Sequence, residues 1–388
     1  MPAPLDGILV VDLSRVLAGP FCTMLLADLG ARVIKVENPE GGDVTRGWGP
    51  PYDPVSGLSA YYLSVNRNKE SIAIDLATET GGESVRLLAR RADVLLENFP
   101  PGGLERLALS LEALRADNPR LVTASITGFG RTGPDASAPG FDLLAQAGSG
   151  LMAITGEPGG PPTKGGVAIS DLFAGSFAAV AIAAALRGRE ATGRGSHVET
   201  DLFRASLAAL VNVGESCLVT RSEAGRHGNT HGQIVPYRTF SASDAEFALA
   251  VGTDPQFARL ADVVGRPEWA RDPRYRTNEA RVRHRSGLDR ELQEILLRAP
   301  RDAWLARFRA GGIPAGPVRG ALEALESEGA RASGAVRESG GVPFIGSPFT
   351  SPGEPPLRFP PALDADGDRL RKEFGLPAPA LRADPGLG

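Results

Sequence analysis

The amino-acid sequence predicts an α/β protein, in which a doubly wound, Rossmann-like parallel sheet is joined to a smaller α+β domain. Short, continuous apolar runs alternate with helical segments through the first half of the chain, which is the pattern of βαβ units. Such runs are typical of parallel strands, because both faces of these strands are buried. With 388 residues, the chain is long enough for two domains and a large core.

The first βαβ unit lies at the N-terminus. Residues 8–13, ILVVDL, are predicted to form a strand, residues 21–30 a helix that ends at Gly30, and residues 31–38 a second strand. Parallel sheets bind ligands beyond the carboxyl ends of their strands. Residues 14–18 and residues 37–38 are therefore expected at a binding site.

Further alternation extends the same sheet. The predicted strands are residues 71–76, 94–99 and 121–130, and the predicted helices are residues 83–92, 104–118 and 172–186. Residues 192–222 follow as a strand and one long helix. We assign residues 1–224 to the N-terminal part of a large domain, residues 225–330 to a small α+β domain, and residues 331–388 to a return to the large domain. From about residue 335 we expect Pro-rich extended chain, and residues 379–388 are expected to be unstructured.

Composition excludes several classes of function. A net charge of −4 without a basic stripe argues against nucleic-acid binding. The two cysteines are far apart, and none of the four histidines is paired with a cysteine, so we expect no disulfide and no metal. The N-terminal residues show no signal-peptide pattern, and the apolar run 173–186 is too short to span a bilayer. We therefore expect a cytoplasmic protein that has no membrane partner.

One acid, Asp171, stands where a glycine- and proline-rich loop, residues 156–166, leads into an apolar helix. Because this helix lacks a polar face, we expect it to be buried on nearly all sides. An aspartate at a helix start is usually an N-cap, and that alternative remains open. The glycine-rich loop instead favours the close approach of a bulky ligand to the backbone. Asp171 is therefore the first candidate for a catalytic residue.

Nine linked motifs carry a resemblance over essentially the whole chain. They are LDGILVVDLSRVLAGP, LGARVIKVENPEGGDVTRGW, NRNKESIAIDL, VLLENFPPGGLERL, ITGFGRTGP, TGEPGGPPTKGGVAISDLFAG, TGRGSHVETDLFRA, GNTHGQIVPY and GIPAGPV. With these motifs in this order, the chain resembles the class III CoA-transferases, the family of formyl-CoA transferase and of the carnitine-CoA transferases.

The resemblance implies a mechanism in which Asp171 is the nucleophile. In this family the carboxylate attacks the thioester of an acyl-CoA and gives a mixed anhydride, and the CoA thiolate then forms an aspartyl-CoA thioester. An acceptor carboxylic acid runs these steps in reverse. The resemblance also implies an interlocked homodimer that uses CoA thioesters as substrates and needs no tightly bound cofactor.

The resemblance implies further site residues. Gly228 and Gly232 match the family's glycine loop and are candidates for stabilising an oxyanion, with a domain-boundary turn as the alternative. Asp142 matches an acidic active-site position, with a helix cap as the alternative. For Arg67 and Lys69, a solvated face is the alternative to CoA binding. The implied CoA contacts are Leu17, Ala18, Asn38, Arg67, Lys69, Asn98, Phe99 and Arg106.

Trp48 matches an active-site aromatic, with a place in the core as the alternative. Arg15 or Arg238 is expected to hold the second carboxylate of a diacid substrate, which favours succinyl-CoA as the donor. Leu17 stands where formyl-CoA transferase has Gln, and that enzyme has a longer run of glycines than Gly228–Gly232, which argues against formyl-CoA and oxalate as substrates.

Three other functions remain as alternatives. An α-methylacyl-CoA racemase is disfavoured because Phe141 stands where those relatives carry a proton-transferring His. A dinucleotide-dependent oxidoreductase is disfavoured because no G-x-G-x-x-G follows the first strand. A non-catalytic acyl-CoA-binding protein is disfavoured by Asp171 and its glycine-rich loop.

Overall fold

A computed structural model describes residues 1–350 and 353–378, and the predicted unstructured residues 379–388 lie outside it. The chain forms two compact units. Unit 1 comprises Met1–Met152, Lys164–Glu223 and the described residues from Glu328 onward, and unit 2 comprises Ala153–Thr163 and Ala224–Ser327. Residues 153–163, which were assigned from sequence to the first domain, thus lie in unit 2.

Unit 1 is built on a six-stranded parallel sheet with the strand order 3-2-1-4-5-6, which confirms the predicted doubly wound α/β class. The order reverses between the first and fourth strands, and ligands bind at such a switch point in open α/β sheets. The first five strands each overlap a predicted strand with ends that differ by at most three residues, and β6 lies within the predicted segment 192–222. The strands are β1 (Leu9–Asp12), β2 (Arg32–Glu37), β3 (Lys69–Ala73), β4 (Val94–Glu97), β5 (Val122–Thr127) and β6 (His197–Asp201).

Helices cover both faces of this sheet. Successive residues of a strand point to opposite faces, so each strand contributes side chains to two apolar clusters. Val10 and Val33 contribute to one apolar cluster, and Val11 and Ile34 contribute to the other. A 3-10 turn covers Val44–Gly47. The first ten helices are α1 (Ala18–Asp28), α2 (Ala60–Val65), α3 (Glu79–Arg91), α4 (Gly103–Arg106), α5 (Leu111–Asp117), α6 (Asp142–Ser149), α7 (Leu151–Ile154), α8 (Ile169–Thr192), α9 (Leu202–Ala209) and α10 (Val211–Thr220).

Helix α8 departs from the prediction in length and in burial. It has 24 residues, extends beyond the predicted run 173–186 at both ends, and is long and apolar enough to cross a membrane by length and composition alone, as core helices of other proteins can be. Ala174 and Ile182 are buried, but 40% of Phe177 and 67% of Val180 are exposed. The expectation of burial on nearly all sides was therefore wrong. As the crossover helix between β5 and β6, α8 packs one side against the core of unit 1.

The long helix predicted after β6 is two helices. Helices α9 and α10 meet at an angle of 79°, and Val211 has a φ of 44° at the break. Backbone sterics disfavour this left-handed conformation for a β-branched residue. A valine within a helical pattern therefore gives no sign of a bend in the sequence.

Unit 2 has a three-stranded antiparallel sheet covered by helices. Phe247, Leu292 and Phe308 are fully buried in its core. A 3-10 turn covers Pro267–Ala270. The elements are β7 (Tyr237–Ser241), β8 (Glu246–Ala250), α11 (Asp254–Val263), α12 (Asn278–Arg283), α13 (Arg285–Leu296), α14 (Arg301–Ala310), β9 (Ala315–Pro317) and α15 (Ala321–Leu325).

The C-terminal segment contains more regular structure than its proline content predicted. After α16 (Glu328–Ala332), the strands β10 (Val336–Ser339) and β11 (Val342–Ile345) form an antiparallel hairpin. Helix α17 (Gly367–Phe374) then places Leu370 and Phe374 in one of the two sheet cores of unit 1.

Candidate active site

Asp171 is the third residue of α8, and its contacts differ from those of an N-cap. The N-cap position is Ala168, which makes no side-chain capping bond. The backbone N–H of Ala18, the first residue of α1, instead acts on the Asp171 carboxyl and lowers its pKa. A Cβ at Gly175 would lie 2.5 Å from the Ala18 carbonyl oxygen, so this glycine permits the close approach of the two helices. The capping alternative for Asp171 is therefore wrong.

Asp142 lies beside Asp171 and caps α8 from a neighbouring helix. Its Oδ1 accepts from the Ser170 N–H at 2.9 Å, and its Oδ2 accepts from Gln146 Nε2 at 2.7 Å. The buried Gln146 also accepts from the Gly165 N–H at 2.8 Å. One chain of hydrogen bonds thus fixes the glycine-rich loop, Asp142 and the start of α8. Sequence reasoning missed Gln146, because its one signal was the four-residue spacing from Asp142 on a helix.

The environment makes the Asp171 carboxyl unusually basic. Burial and the nearby charge of Asp142 together raise its pKa to about 7, although the Ala18 N–H works in the opposite direction. A carboxyl group with this pKa is divided between its acid and ionised forms at neutral pH. Strongly shifted groups in clefts are candidates for functional residues.

Tyr61 is a second site residue that the sequence did not reveal. Burial, together with the charges of Asp171, Asp142 and Asp43, raises the pKa of Tyr61 to about 12, so its hydroxyl remains a hydrogen-bond donor at neutral pH. The Trp48 ring packs edge-on against Tyr61, with 5.1 Å between ring centroids. Because 47% of Trp48 is exposed, its alternative place in the core is wrong.

A cavity of about 180 Å³ opens beyond the carboxyl ends of β1 to β4 and brings three predicted residues together: Arg15, Asn38 and Phe99. The Arg15 guanidinium lies 4.9 Å from the centroid of the Phe99 ring. Asn98 accepts from the Arg15 N–H at 2.9 Å and donates to the Arg15 carbonyl at 2.7 Å, which joins the two sides of the switch point. Sequence reasoning missed other lining residues, among them Asp75, Leu76, Ala77 and Leu107.

Arg67 and Lys69 are structural cations. Arg67 is 2% exposed and makes a bidentate pair with Asp28, with N–O distances of 3.1 and 2.6 Å. Lys69 is 3% exposed and lies 3.2 Å from an oxygen of Asp12. The solvated-face alternative is therefore wrong, and the pairing of both charges inside the fold argues against contacts with CoA. Arg106, in contrast, is exposed and has no ion-pair partner among the described residues.

Gly228, Gly232 and Arg238 belong to unit 2. The Gly228 N–H donates to the Gly156 carbonyl at 2.9 Å, which argues against its predicted contact with an oxyanion. The Gly232 N–H has no hydrogen-bond partner among the described residues. Arg238 pairs with Asp289 at 3.0 Å, so its charge is already neutralised in part.

No group of His, Cys, Asp and Glu within residues 1–350 and 353–378 has the arrangement of a metal site. The fold and the site define an α/β protein with a cavity at the sheet's switch point and a half-buried carboxylate near the start of a crossover helix. The family model for CoA-transferase family III matches residues 5–367. The chain belongs to this family and is a CoA-transferase.

Known proteins agree with this assignment. An acetyl-CoA:oxalate CoA-transferase of Acetobacter aceti is 43% identical over 379 residues, which cover 96% of each protein. A succinate–glutarate CoA-transferase of Agrobacterium fabrum is 41% identical and covers 92% of this chain and 91% of its own length. A CAIB/BAIF family protein from Brucella suis has a TM-score of 0.87 at 42% identity, covering 96% of this chain and 100% of its own. These matches confirm the predicted activity, CoA transfer, in preference to the three alternative functions.

Proposed function

We propose that Asp171 carries CoA during the transfer. Its carboxylate attacks the thioester carbonyl of the donor, the C–S bond breaks, and a mixed anhydride and CoA thiolate result. The thiolate then attacks the Asp171 carbonyl, which releases the donor acid as a carboxylate and leaves an aspartyl-CoA thioester. The acceptor carboxylate attacks this thioester and expels the thiolate, which takes the acyl group from the second anhydride and restores Asp171.

The observation that carries this proposal is the close approach of α1 to α8, where a Cβ at Gly175 would lie 2.5 Å from the Ala18 carbonyl oxygen and where the Ala18 N–H lowers the pKa of Asp171. When the thiolate or the acceptor attacks the Asp171 carbonyl, negative charge develops on that oxygen, and a fixed N–H already faces it. The pKa of about 7 makes the ionised carboxylate more basic than an ordinary one, and a large fraction of it is ionised at neutral pH.

The cavity at the switch point is the proposed place for the nucleotide part of CoA. Arg15 and Asn38 supply hydrogen-bond donors for phosphate, and Phe99 supplies an aromatic face for the base or the pantetheine. Arg106 can add a phosphate contact, because its charge is unpaired among the described residues. Arg15, expected from sequence to hold a substrate carboxylate, is here assigned to CoA because it lies over Phe99.

We further propose succinyl-CoA as the donor and a dicarboxylic acid as the acceptor. Two relatives with more than 40% identity are named for oxalate and for the succinate–glutarate pair, and all three of these acids carry two carboxylates. Acetyl-CoA, which is named for one of these relatives, is the competing donor.

Intact-protein mass spectrometry after incubation with succinyl-CoA or acetyl-CoA tests the role of Asp171. We expect a CoA-sized adduct that maps to the peptide containing Asp171 and that forms faster with succinyl-CoA. The adduct and turnover should disappear in Asp171→Ala, with a rate loss of about 10³-fold or more. Asp142→Asn is the matched control, since it removes the neighbouring acid and should retain the adduct. If CoA binds and no acyl-CoA gives an adduct on Asp171, the mechanism is wrong.

We propose that the protein acts in the cytoplasm as the interlocked homodimer of its family. Exposed apolar side chains on α8 and α10 support an interface, since Val180, Val211, Leu218 and Val219 are each more than 60% exposed. Sedimentation velocity should show a dimer that persists on dilution and is lost in Leu218→Glu/Val219→Glu. A monomeric wild-type protein would exclude the dimer.

A further inference from the structure

Val16 adopts a backbone conformation that a β-branched residue rarely takes. It lies between β1 and α1 and has a φ of 70°, in the left-handed region. Such a conformation persists only where surrounding contacts enforce it, and it occurs mainly at functional sites. Two residues further along the chain is Ala18, which packs against α8 so closely that a Cβ at Gly175 would lie 2.5 Å from its carbonyl oxygen, and whose N–H lowers the pKa of Asp171.

A buried ion pair holds this segment. The Asp43 carboxylate accepts from the Val16 N–H, with 3.2 Å between nitrogen and Oδ2, and it pairs with Lys35 Nζ at 2.9 Å. Lys35 also donates to the Ser14 carbonyl at 3.0 Å. Both side chains of the pair are fully buried, so the attraction between them is only weakly screened.

Asp43 is itself fixed in place. Its carboxylate accepts from the Thr45 N–H at 3.0 Å, and its own N–H donates to Glu37 at 3.0 Å. On the other side of the segment, Asn98 holds both backbone polar groups of Arg15. The backbone groups of residues 14, 15 and 16 are thus each hydrogen-bonded by a different side chain. The backbone that leads to Ala18 therefore has little conformational freedom.

We propose that Asp43 is a positioning residue for CoA transfer, which acts through the backbone of Val16 to hold the Ala18 N–H against Asp171. This inference rests on the proposed role of Asp171. The groups that interact electrostatically with Asp171 are Asp142 from α6, the Ala18 N–H from α1 and Tyr61 from α2, whose own pKa the Asp171 charge raises. Among these, the Ala18 N–H favours the ionised carboxylate, so displacement of the loop should raise the pKa of Asp171.

Val16→Gly is the deciding variant, because glycine adopts both left- and right-handed conformations freely and releases the segment without removing a buried charge. We expect a melting temperature at or near that of the wild type and a loss of kcat of about tenfold, the value of one hydrogen bond to a charged group. The KM for acyl-CoA should change much less than kcat, and the acid limb of the pH–rate profile should move to higher pH.

Ala108→Gly is the matched control. Ala108 is another non-glycine residue with a left-handed backbone, with a φ of 53°, and it follows α4 outside the site. The substitution Ala108→Gly should change stability in the same direction as Val16→Gly and should leave kcat and the pH–rate profile unchanged. Asp43→Asn, which removes the charge but keeps an acceptor oxygen, should reproduce the Val16→Gly changes if it folds.

A carboxyl ¹³C NMR titration of Asp171 in the full-length protein separates this inference from the mechanism. A higher Asp171 pKa in Val16→Gly than in the wild type supports positioning, even if no aspartyl adduct forms. An unchanged kcat, pH profile and Asp171 pKa in Val16→Gly would overturn the inference, and so would an equal loss of kcat in Ala108→Gly.

Discussion

Asp12 and Asp171 are two acids of unit 1 that lie in opposite electrostatic surroundings. Asp12, the last residue of β1, is fully buried, accepts from the Thr23 hydroxyl at 2.6 Å and lies 3.2 Å from Lys69 Nζ. These contacts, together with Lys35 and Ser14, hold its pKa below the usual range although burial alone would raise it. Asp12 is therefore a permanently ionised structural group.

Asp171 has the opposite set of neighbours. Within the described part of the chain, no cation lowers its pKa, its nearest charged neighbour is another carboxylate, and one backbone N–H is its compensating contact. Its pKa accordingly rises to about 7. The comparison teaches that burial does not by itself make an acid reactive. The sign of the neighbouring charges decides whether a buried carboxylate stabilises the fold or remains available for chemistry.

The largest expected effect on stability comes from removing the structural acid. Asp12→Asn should lower the free energy of unfolding by about 3–5 kcal/mol, because it leaves Lys69 as a buried charge without its partner. Urea unfolding at pH 7 measures this loss. Glu112→Gln, an exposed acid on α5, is the matched control and should change stability by less than about 0.5 kcal/mol. If Asp12→Asn lowers the free energy of unfolding as little as Glu112→Gln does, Asp12 is not a structural ion and the contrast with Asp171 is wrong.

A second prediction concerns the charge next to Asp171. Because the ionised carboxylate is the proposed nucleophile, the transfer rate should rise with pH through an apparent pKa of about 7. Asp142→Asn removes the like charge and should move this acid limb to lower pH by about one unit. Glu190→Gln, on the same helix but about 28 Å along its axis, should leave the limb in place. An unshifted limb in Asp142→Asn would show that burial alone sets the pKa.

The smallest effect is a gain of stability when the reactive acid is neutralised. The native pKa of Asp171 is raised above its unfolded value, so its ionisation destabilises the fold as pH rises from about 4 to about 7. Asp171→Asn should therefore be more stable than the wild type by about 1–3 kcal/mol at pH 8. The gain should be smaller at pH 5 and vanish below pH 4. Thermal unfolding across this range measures it, and a loss of stability at pH 8 would contradict the assignment.

Much of unit 1 could be predicted because its signals are local. The apolar runs at 8–13, 31–38, 71–76, 94–99 and 121–130 each correspond to a strand, since a strand buried on both faces needs only apolar residues. The predictions that failed depend on partners distant in sequence. The full length and exposed side of α8, the bend at Val211 and the hairpin β10–β11 are set by packing, which apolar periodicity does not record.

The candidate site shows the same division between residues that have a local sequence signal and residues whose role depends on partners distant in sequence. Asp171, Asp142, Asn98 and Phe99 could be proposed from the sequence because they lie in motifs of the family, and the rule that ligands bind beyond the carboxyl ends of parallel strands pointed to Arg15 and Asn38. Tyr61 and Gln146 escaped notice because a lone Tyr or Gln in an amphipathic helix has no distinguishing pattern. Arg67 and Lys69 were misjudged because a basic triplet in sequence gives no sign of the acids, Asp28 and Asp12, that neutralise it in the fold.

The sequence by itself determined the fold class and the family, and it identified the residue that we propose as the nucleophile, because strand periodicity and linked motifs are local features of the chain. Only the tertiary structure decided what each charge does. Asp12, Asp43 and Asp171 are the same residue type, and their roles follow from which cations, carboxylates and N–H groups the fold brings within a few ångströms of each. Electrostatic interactions depend on distance in space and on burial, and neither can be read from distance along the chain.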